Sequence, residues 1–178
     1  MRFRVLVADC PWKFGDSLPG KKRGAQKHYD VLPVEDLERF PIPEMEDDSV
    51  LFLWRVAAMQ EEALRVVRAW GFVPKSEMVW VKTTPEGKLA FGMGRIVRAA
   101  HETCLVATRG RAAALVRDRG VRSVFLAPRG EHSAKPEKFF ELAERLFPGP
   151  YAELFARGAP RPGWTRFGRE AIGEPERP

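Results

Sequence analysis

The 178-residue chain contains no asparagine, only two glutamines and two cysteines, and no uninterrupted apolar stretch long enough to cross a bilayer. Each shortage removes a class of protein. Cys10 and Cys104 are far apart, with no Cys-x-x-Cys pair and no Cys/His cluster beside them. Neither a disulfide framework nor a zinc site is indicated, so no metal is expected and the setting reads as a reducing cytoplasm. The opening apolar run is cut by Asp9, too soon for a secretory signal or a membrane anchor. The missing amides, beside abundant Arg, Glu, Ala and Pro, fit a heat-adapted source and a GC-rich coding sequence equally well. Internal repeats and low-complexity tracts are absent too. The length suits one domain with a full core, expected over residues 1–170, with a flexible tail at 171–178.

What is present is positive charge and an alternation of strands with helices. The formal net charge of +6 favours an acidic partner, nucleic acid first, with plain solubility an equal reading of charge alone. The apolar run Phe3 to Ala8 reads as a buried parallel strand. Glu35 to Phe40 reads as a short helix broken by Pro41 and Pro43, and Ser49 to Trp54 as a second strand. Ala57 to Trp70 forms an amphipathic helix, with Ala63, Val66, Val67 and Trp70 on one face and Gly71 at the stop position. Strands follow at Lys75 to Lys82, His101 to Thr108 and Ser123 to Ala127, with a Gly-containing loop from Thr83 to Arg95. Gly92-Met93-Gly94 lacks the third glycine of a dinucleotide fingerprint. A helix with Pro136 in its first turn runs through Phe147, burying Phe139, Leu142, Ala143 and Leu146. Tyr151 to Ala156 is read as the last strand, before a Gly/Pro-rich tail. This order predicts an α/β fold with a doubly wound, mostly parallel sheet.

The turn Asp9-Cys10-Pro11-Trp12 closes the first strand, where open α/β sheets keep their ligands. Asp9 can accept hydrogen bonds from an amine. Pro11 fixes its own φ and lacks an N–H, which leaves turn carbonyls free for a second amine proton, and Trp12 offers a ring for stacking a base. The plainer alternative is a strand ending at a proline turn with Trp12 in the core. The stretch Lys13 to His28 has no apolar periodicity and carries Lys21, Lys22 and Arg23. It reads either as a lid that contacts phosphates or as a solvated segment.

Several pieces recur in a fixed order: Ala8-Asp9-Cys10-Pro11-Trp12, His28-Tyr29, Val50-Leu51-Phe52-Leu53-Trp54, and Arg98 through His101-Glu102 to Gly110. After them come His132-Ser133-x-Lys135-Pro136-Glu137, Glu153-Leu154-Phe155-Ala156-Arg157 and Gly163-Trp164-x-x-x-Gly168-x-Glu170. In this the chain resembles the MT-A-seventy family of N6-adenine methyltransferases, from Val5 to about Glu170. The resemblance implies a Rossmann-like methyltransferase sheet in permuted motif order, with the catalytic strand ahead of the cofactor-binding one. It also implies S-adenosylmethionine as cofactor and the exocyclic amine of adenine in nucleic acid as target. By it Asp9, Cys10, Pro11 and Trp12 form the catalytic turn. Asp9, Lys135, Arg157, Gly168, Arg169 and Glu170 hold the cofactor. Trp12, Lys21, Lys22, Arg23, His28 and Tyr29 meet the substrate.

Two positions depart from the family pattern. Cys10 stands where proline is usual, which keeps a carbonyl but restores an N–H; Arg169 stands where many relatives have Asn, and a guanidinium accepts no hydrogen bonds. Several assignments keep a plainer alternative: Lys135 as a surface charge, Arg157 as the partner of Glu153 or Glu170, His28-Tyr29 as core packing. His101-Glu102 reads as a hydrogen-bonded strand start rather than a catalytic pair. DNA is expected ahead of RNA, since no RNA-binding module is recognisable. A homodimer or second subunit is expected to help read sequence. A catalytically silent binding subunit and a methyltransferase for free nucleotides or small amines are the alternatives; a silent subunit is expected to lack Asp9 or Trp12, and both are present.

Overall fold

β1 (Phe3–Ala8) is buried along almost its whole length, because both faces are covered. Leu6 and Ala8 pack on one side against Leu37, Ala63, Val66 and Val67. Val5 and Val7 pack on the other against Phe139, Phe140, Leu142 and Ala143. The continuous apolar run, rather than an alternating one, follows from that double burial. The computed structural model describes residues 1–13, 31–92, 96–130, 134–156 and 160–168. Lys21, Lys22, Arg23, His28, Tyr29, Arg157, Arg169, Glu170 and the 171–178 segment therefore lie outside the described residues.

The remaining elements are α1 (Val34–Glu38), β2 (Met45–Arg55), α2 (Gln60–Ala69), β3 (Val73–Thr83), β4 (His101–Arg109), β5 (Val124–Pro128), α3 (Glu137–Leu146), β6 (Tyr151–Leu154) and β7 (Trp164–Phe167). They build a seven-stranded sheet in the order β5-β3-β4-β2-β1-β6-β7. All neighbours pair in parallel except β4, which runs antiparallel to both β2 and β3. α1 and α2 cover one face and α3 the other, so the expected α/β, doubly wound and mostly parallel arrangement is the observed one.

Three differences from the sequence reading have physical causes. β2 starts at Met45, four residues before Ser49, because Met45 pairs with Phe3 across a register shift and leaves Glu46 to Asp48 at the wet end of the strand. β3 passes through Pro74, and the register shifts between Pro74 and Ser76, the kind of irregularity where a residue without an N–H is tolerated in a sheet. The third is a correction: the segment read as tail holds β7, paired in parallel with β6 from Tyr151↔Trp164 to Leu154↔Phe167. Its four residues, hemmed by glycine and proline, carry too short a pattern to stand out.

Gly110, in the turn after β4, has φ +59° and lies against Asp48 and the Asp47 carbonyl, so an added Cβ meets both. The approach lets the Asp48 carboxylate accept the Arg111 amide at 2.6 Å. Gly110→Ala is expected to lower stability by about 1 to 3 kcal/mol through strain and loss of this contact, measurable as a drop in thermal midpoint.

Candidate active site

Side chains alternate along a strand, so Asp9 continues the face of Val5 and Val7, the face covered by α3. The same alternation puts Trp54 on that face from β2, Trp80 and Lys82 from β3, and Glu102 and Cys104 from β4. Because β4 runs against its neighbours, its first residues reach the edge where the parallel strands end. Glu102 thereby arrives beside Asp9 and Lys82, and Lys135, just ahead of α3, reaches down onto both carboxylates.

The result is a chain of four alternating charges. Lys135 Nζ is 3.0 Å from Asp9 Oδ2 and 3.1 Å from Glu102 Oε2, and Lys82 Nζ is 2.6 Å from Glu102 Oε1. The two ammonium groups rest on an aromatic floor, Lys135 5.1 Å from the Trp54 ring and Lys82 5.3 Å from the Trp80 ring, within cation–π range. The Lys135 side chain is only 10% exposed. Burial pulls its pKa down, but Asp9 and Glu102 overcome that and hold it above the ordinary lysine range. Burial likewise pushes Glu102 up, and Lys135 and Lys82 more than reverse it, so Glu102 sits below the usual carboxylate value. Cys104 lies under this cluster, where burial holds its thiol well above the ordinary range; it packs as an apolar group and is no nucleophile.

The turn itself is more closed than the sequence suggests. The Asp9 amide donates to Leu154 O, the Trp12 amide to Cys10 O and the Leu32 amide to Pro11 O. Neither turn carbonyl is free of a donor, since each already accepts one backbone amide. Trp12 is 4% exposed and packs in the core with Cys10 and Met59, its indole N–H donating to Trp54 O at 3.0 Å. The expectation of an exposed stacking ring is corrected here: a large indole whose N–H finds a carbonyl is more stable inside. Trp12 ties the end of β1 to the end of β2.

On the other side of Asp9, the ends of β6 and β7 bring Glu153 and Arg166 together, at 3.7 Å, too far for a hydrogen bond. Among the described residues Arg166 Nε is buried without a hydrogen-bond partner, as is Trp54 Nε1. Burial raises the Glu153 pKa from 4.5 to about 7; Asp9 adds to the rise, while Arg166 and Lys135 oppose it. A raised carboxyl pKa means the folded state binds the proton more tightly, so this stability is full below about pH 4.5 and is lost as pH climbs through about 7. Glu153→Gln is therefore expected to flatten the fall in stability across that window, on the order of 3 kcal/mol, read from denaturant midpoints at several pH values.

Of the residues expected at the site, the structure brings Asp9, Cys10, Pro11 and Lys135 to one edge, with Gly168 directly after β7. Glu102 and Lys82 are members that the sequence reading left out. Their signal was the wrong-way strand: Glu102 opens β4, which matters only once β4 is antiparallel.

A mostly parallel seven-stranded α/β sheet in this order fits the Rossmann-like methyltransferase fold. The MT-A70 family model matches residues 3–170, and the chain belongs to that family. It is 29% identical over 177 residues to the human N(6)-adenosine-methyltransferase catalytic subunit METTL3, covering 97% of this chain and 29% of that protein. It is 28% identical over 177 residues to the N(6)-adenosine-methyltransferase MT-A70-like protein of Drosophila melanogaster, covering 97% and 27%. The type II methyltransferase M.MunI of a Mycoplasma species is 28% identical over 188 residues, covering 95% of this chain and 78% of that one. The chain thus spans under a third of the METTL3 protein. Among the described residues no helix is long and apolar enough to cross a membrane.

Proposed function

We propose that the protein transfers a methyl group from S-adenosylmethionine to the N6 amine of adenine in nucleic acid, with DNA preferred to RNA. The observation that carries this reading is Asp9 at the end of β1, held 3.0 Å from Lys135 and followed directly by the Cys10 and Pro11 carbonyls of the turn. The amine lone pair of adenine is delocalised into the ring, so transfer requires a pyramidal nitrogen aimed at the methyl. Asp9 accepts one N–H of that amine and the Cys10 or Pro11 carbonyl the other, which fixes the lone pair's direction and stabilises positive charge as it develops on nitrogen. When Asp9 turns to the amine, Lys135 keeps Glu102, so its ammonium stays partnered. Loss of the proton follows transfer, and no strong base is demanded.

S-adenosylmethionine, when bound, supplies a methyl already activated on a sulfonium. A buried Arg166 Nε without a partner among the described residues, and the Glu153 carboxyl 3.7 Å from it, fit a polar ligand of mixed charge beside Asp9. Asp9, Lys135 and Gly168 would hold it, joined by Arg157, Arg169 and Glu170. The DNA preference is supported by the match to a type II methyltransferase, and the net positive charge suits either nucleic acid. The test is an assay with labelled methyl donor on matched DNA and RNA oligonucleotides and on free adenosine, with product read by mass spectrometry of nucleosides. N6-methyladenine formed first in DNA is the expected result; label in adenosine alone, or in none of the three, would reject it.

A further inference from the structure

Beside the charge cluster, between the end of β5 and the start of α3, lies a cavity of about 550 Å3 that the Lys135 side chain borders from within the site. That volume falls in the range of pockets that enclose small organic ligands. Leu126, Pro128 and Pro136 are among its lining residues, and its cations are Lys135, Arg129 and Lys138. Leu126 is 55% exposed, unusual for a large aliphatic side chain on a short edge strand. The lining carboxylate, Glu137, is drawn into an ion pair with Arg161, so it does not cancel Arg129 and Lys138. Lys138 spends one N–H on Leu126 O at 3.2 Å and retains two. α3 starts on this cavity without a side-chain cap, which leaves its first amide donors and the positive end of its dipole at the same place.

We propose that this groove holds the nucleotide adjoining the target adenine, with its base on Leu126, Pro128 and Pro136 and its phosphate on Arg129 and Lys138. The inference rests on the reading of a nucleic-acid substrate. Position supports it. Gly168 follows β7 at the far end of the sheet order, while the groove lies against β5 at the other end. Lys135 stands between, so a strand whose adenine reaches Asp9 has its neighbour at the groove, clear of the cofactor flank. An apolar shelf with cations at its rim suits a base and its phosphodiester, a chemistry that DNA and RNA share.

The test uses the full chain and short single-stranded oligonucleotides, DNA and RNA versions alike, each with one adenine among pyrimidines. Arg129→Ala/Lys138→Ala is expected to raise KM for the oligonucleotide at least tenfold with kcat within about twofold, and Arg129→Lys to restore most of the loss. The slope of log affinity against log salt should fall by about 0.7, the value for one lost single-strand phosphate contact. An abasic site on one side of the adenine should weaken binding by the wild type, and on the other side should not. A wild type that methylates the oligonucleotide, paired with a double variant of unchanged KM and salt slope, overturns the groove alone. Equal tolerance of abasic sites on both sides removes the base contact and overturns it too. A wild type inactive on every oligonucleotide overturns the substrate reading and the groove together. Thermal midpoints of both variants, measured alongside, separate lost binding from lost fold.

Discussion

Asp9→Asn is expected to reduce methyl transfer by a factor of about 100 to 1,000, the scale for removing one preorganised acceptor or donor from a developing charge. The substitution keeps shape and volume but replaces one carboxylate oxygen by an amide that donates. The amide oxygen can still accept from Lys135, whose Nζ lies 3.0 Å from Oδ2, but the NH2 then faces the amine N–H, and two donors facing each other cannot bond. The loss should fall on kcat, with donor affinity by calorimetry within a few-fold, because the proposed partner of Asp9 is the amine. Turnover retained within tenfold would remove Asp9 from the mechanism. A large loss of donor affinity at unchanged kcat would reassign it to cofactor binding alone.

Lys135→Met is expected to lower stability at neutral pH by about 3 to 5 kcal/mol, the range for breaking a buried ion pair from one side. Methionine fills the space above the Trp54 ring but removes the cation 3.0 Å from Asp9, and it leaves Glu102 paired with Lys82 among the described residues. The sign with pH follows from the two shifted groups. The depressed pKa of Glu102 contributes stability that is present above its ordinary value of 4.5 and lost as pH falls through its lower folded value. The raised pKa of Lys135 contributes stability that is full below its ordinary 10.5 and lost as pH rises through its higher folded value. The gap between wild type and Lys135→Met should therefore be widest between these limits and should narrow in acid, where protonated carboxylates no longer need a cation. Denaturant titrations at pH 3, 7 and 9 would show it. A gap that is constant with pH would mean that Lys135 contributes packing and not charge.

The parts of the fold that could be read from sequence are those in which burial leaves a local pattern. Phe3 to Ala8 is apolar without interruption because two helical layers cover it, and its bounds match those observed. Gly71 marks the end of α2 at φ +79° as the stop position predicts. Four residues of β7 carried no such pattern: Thr165 is exposed and Arg166 and Phe167 are half-buried, so the strand exists by virtue of its pairing to β6. At the site, Asp9 and Lys135 were legible from the order of motifs. Glu102 was not, because its value depends on strand direction, a property of tertiary arrangement that no window around His101-Glu102 contains. Trp12 was misplaced for a similar reason: whether an aromatic at a sheet edge faces water depends on what lies across from it, and here that is the Trp54 carbonyl.

The reversed direction of β4 also determines which parts of the molecule can change freely. Joining β3 to a parallel neighbour would require a return helix packed on the sheet, with its own apolar stripe to maintain. An antiparallel neighbour needs only a connection, whose described parts, residues 84–92 and 96–100, lie on the side where Asp9 and Glu102 stand. Leu89, Phe91, Ile96 and Val97 are exposed there and belong to neither core cluster. Their replacement, or a change in the length of the connection, leaves the packing beneath the charged residues intact. The residues that shape the surroundings of the reaction can thus diverge while the scaffold that aligns its charges stays fixed.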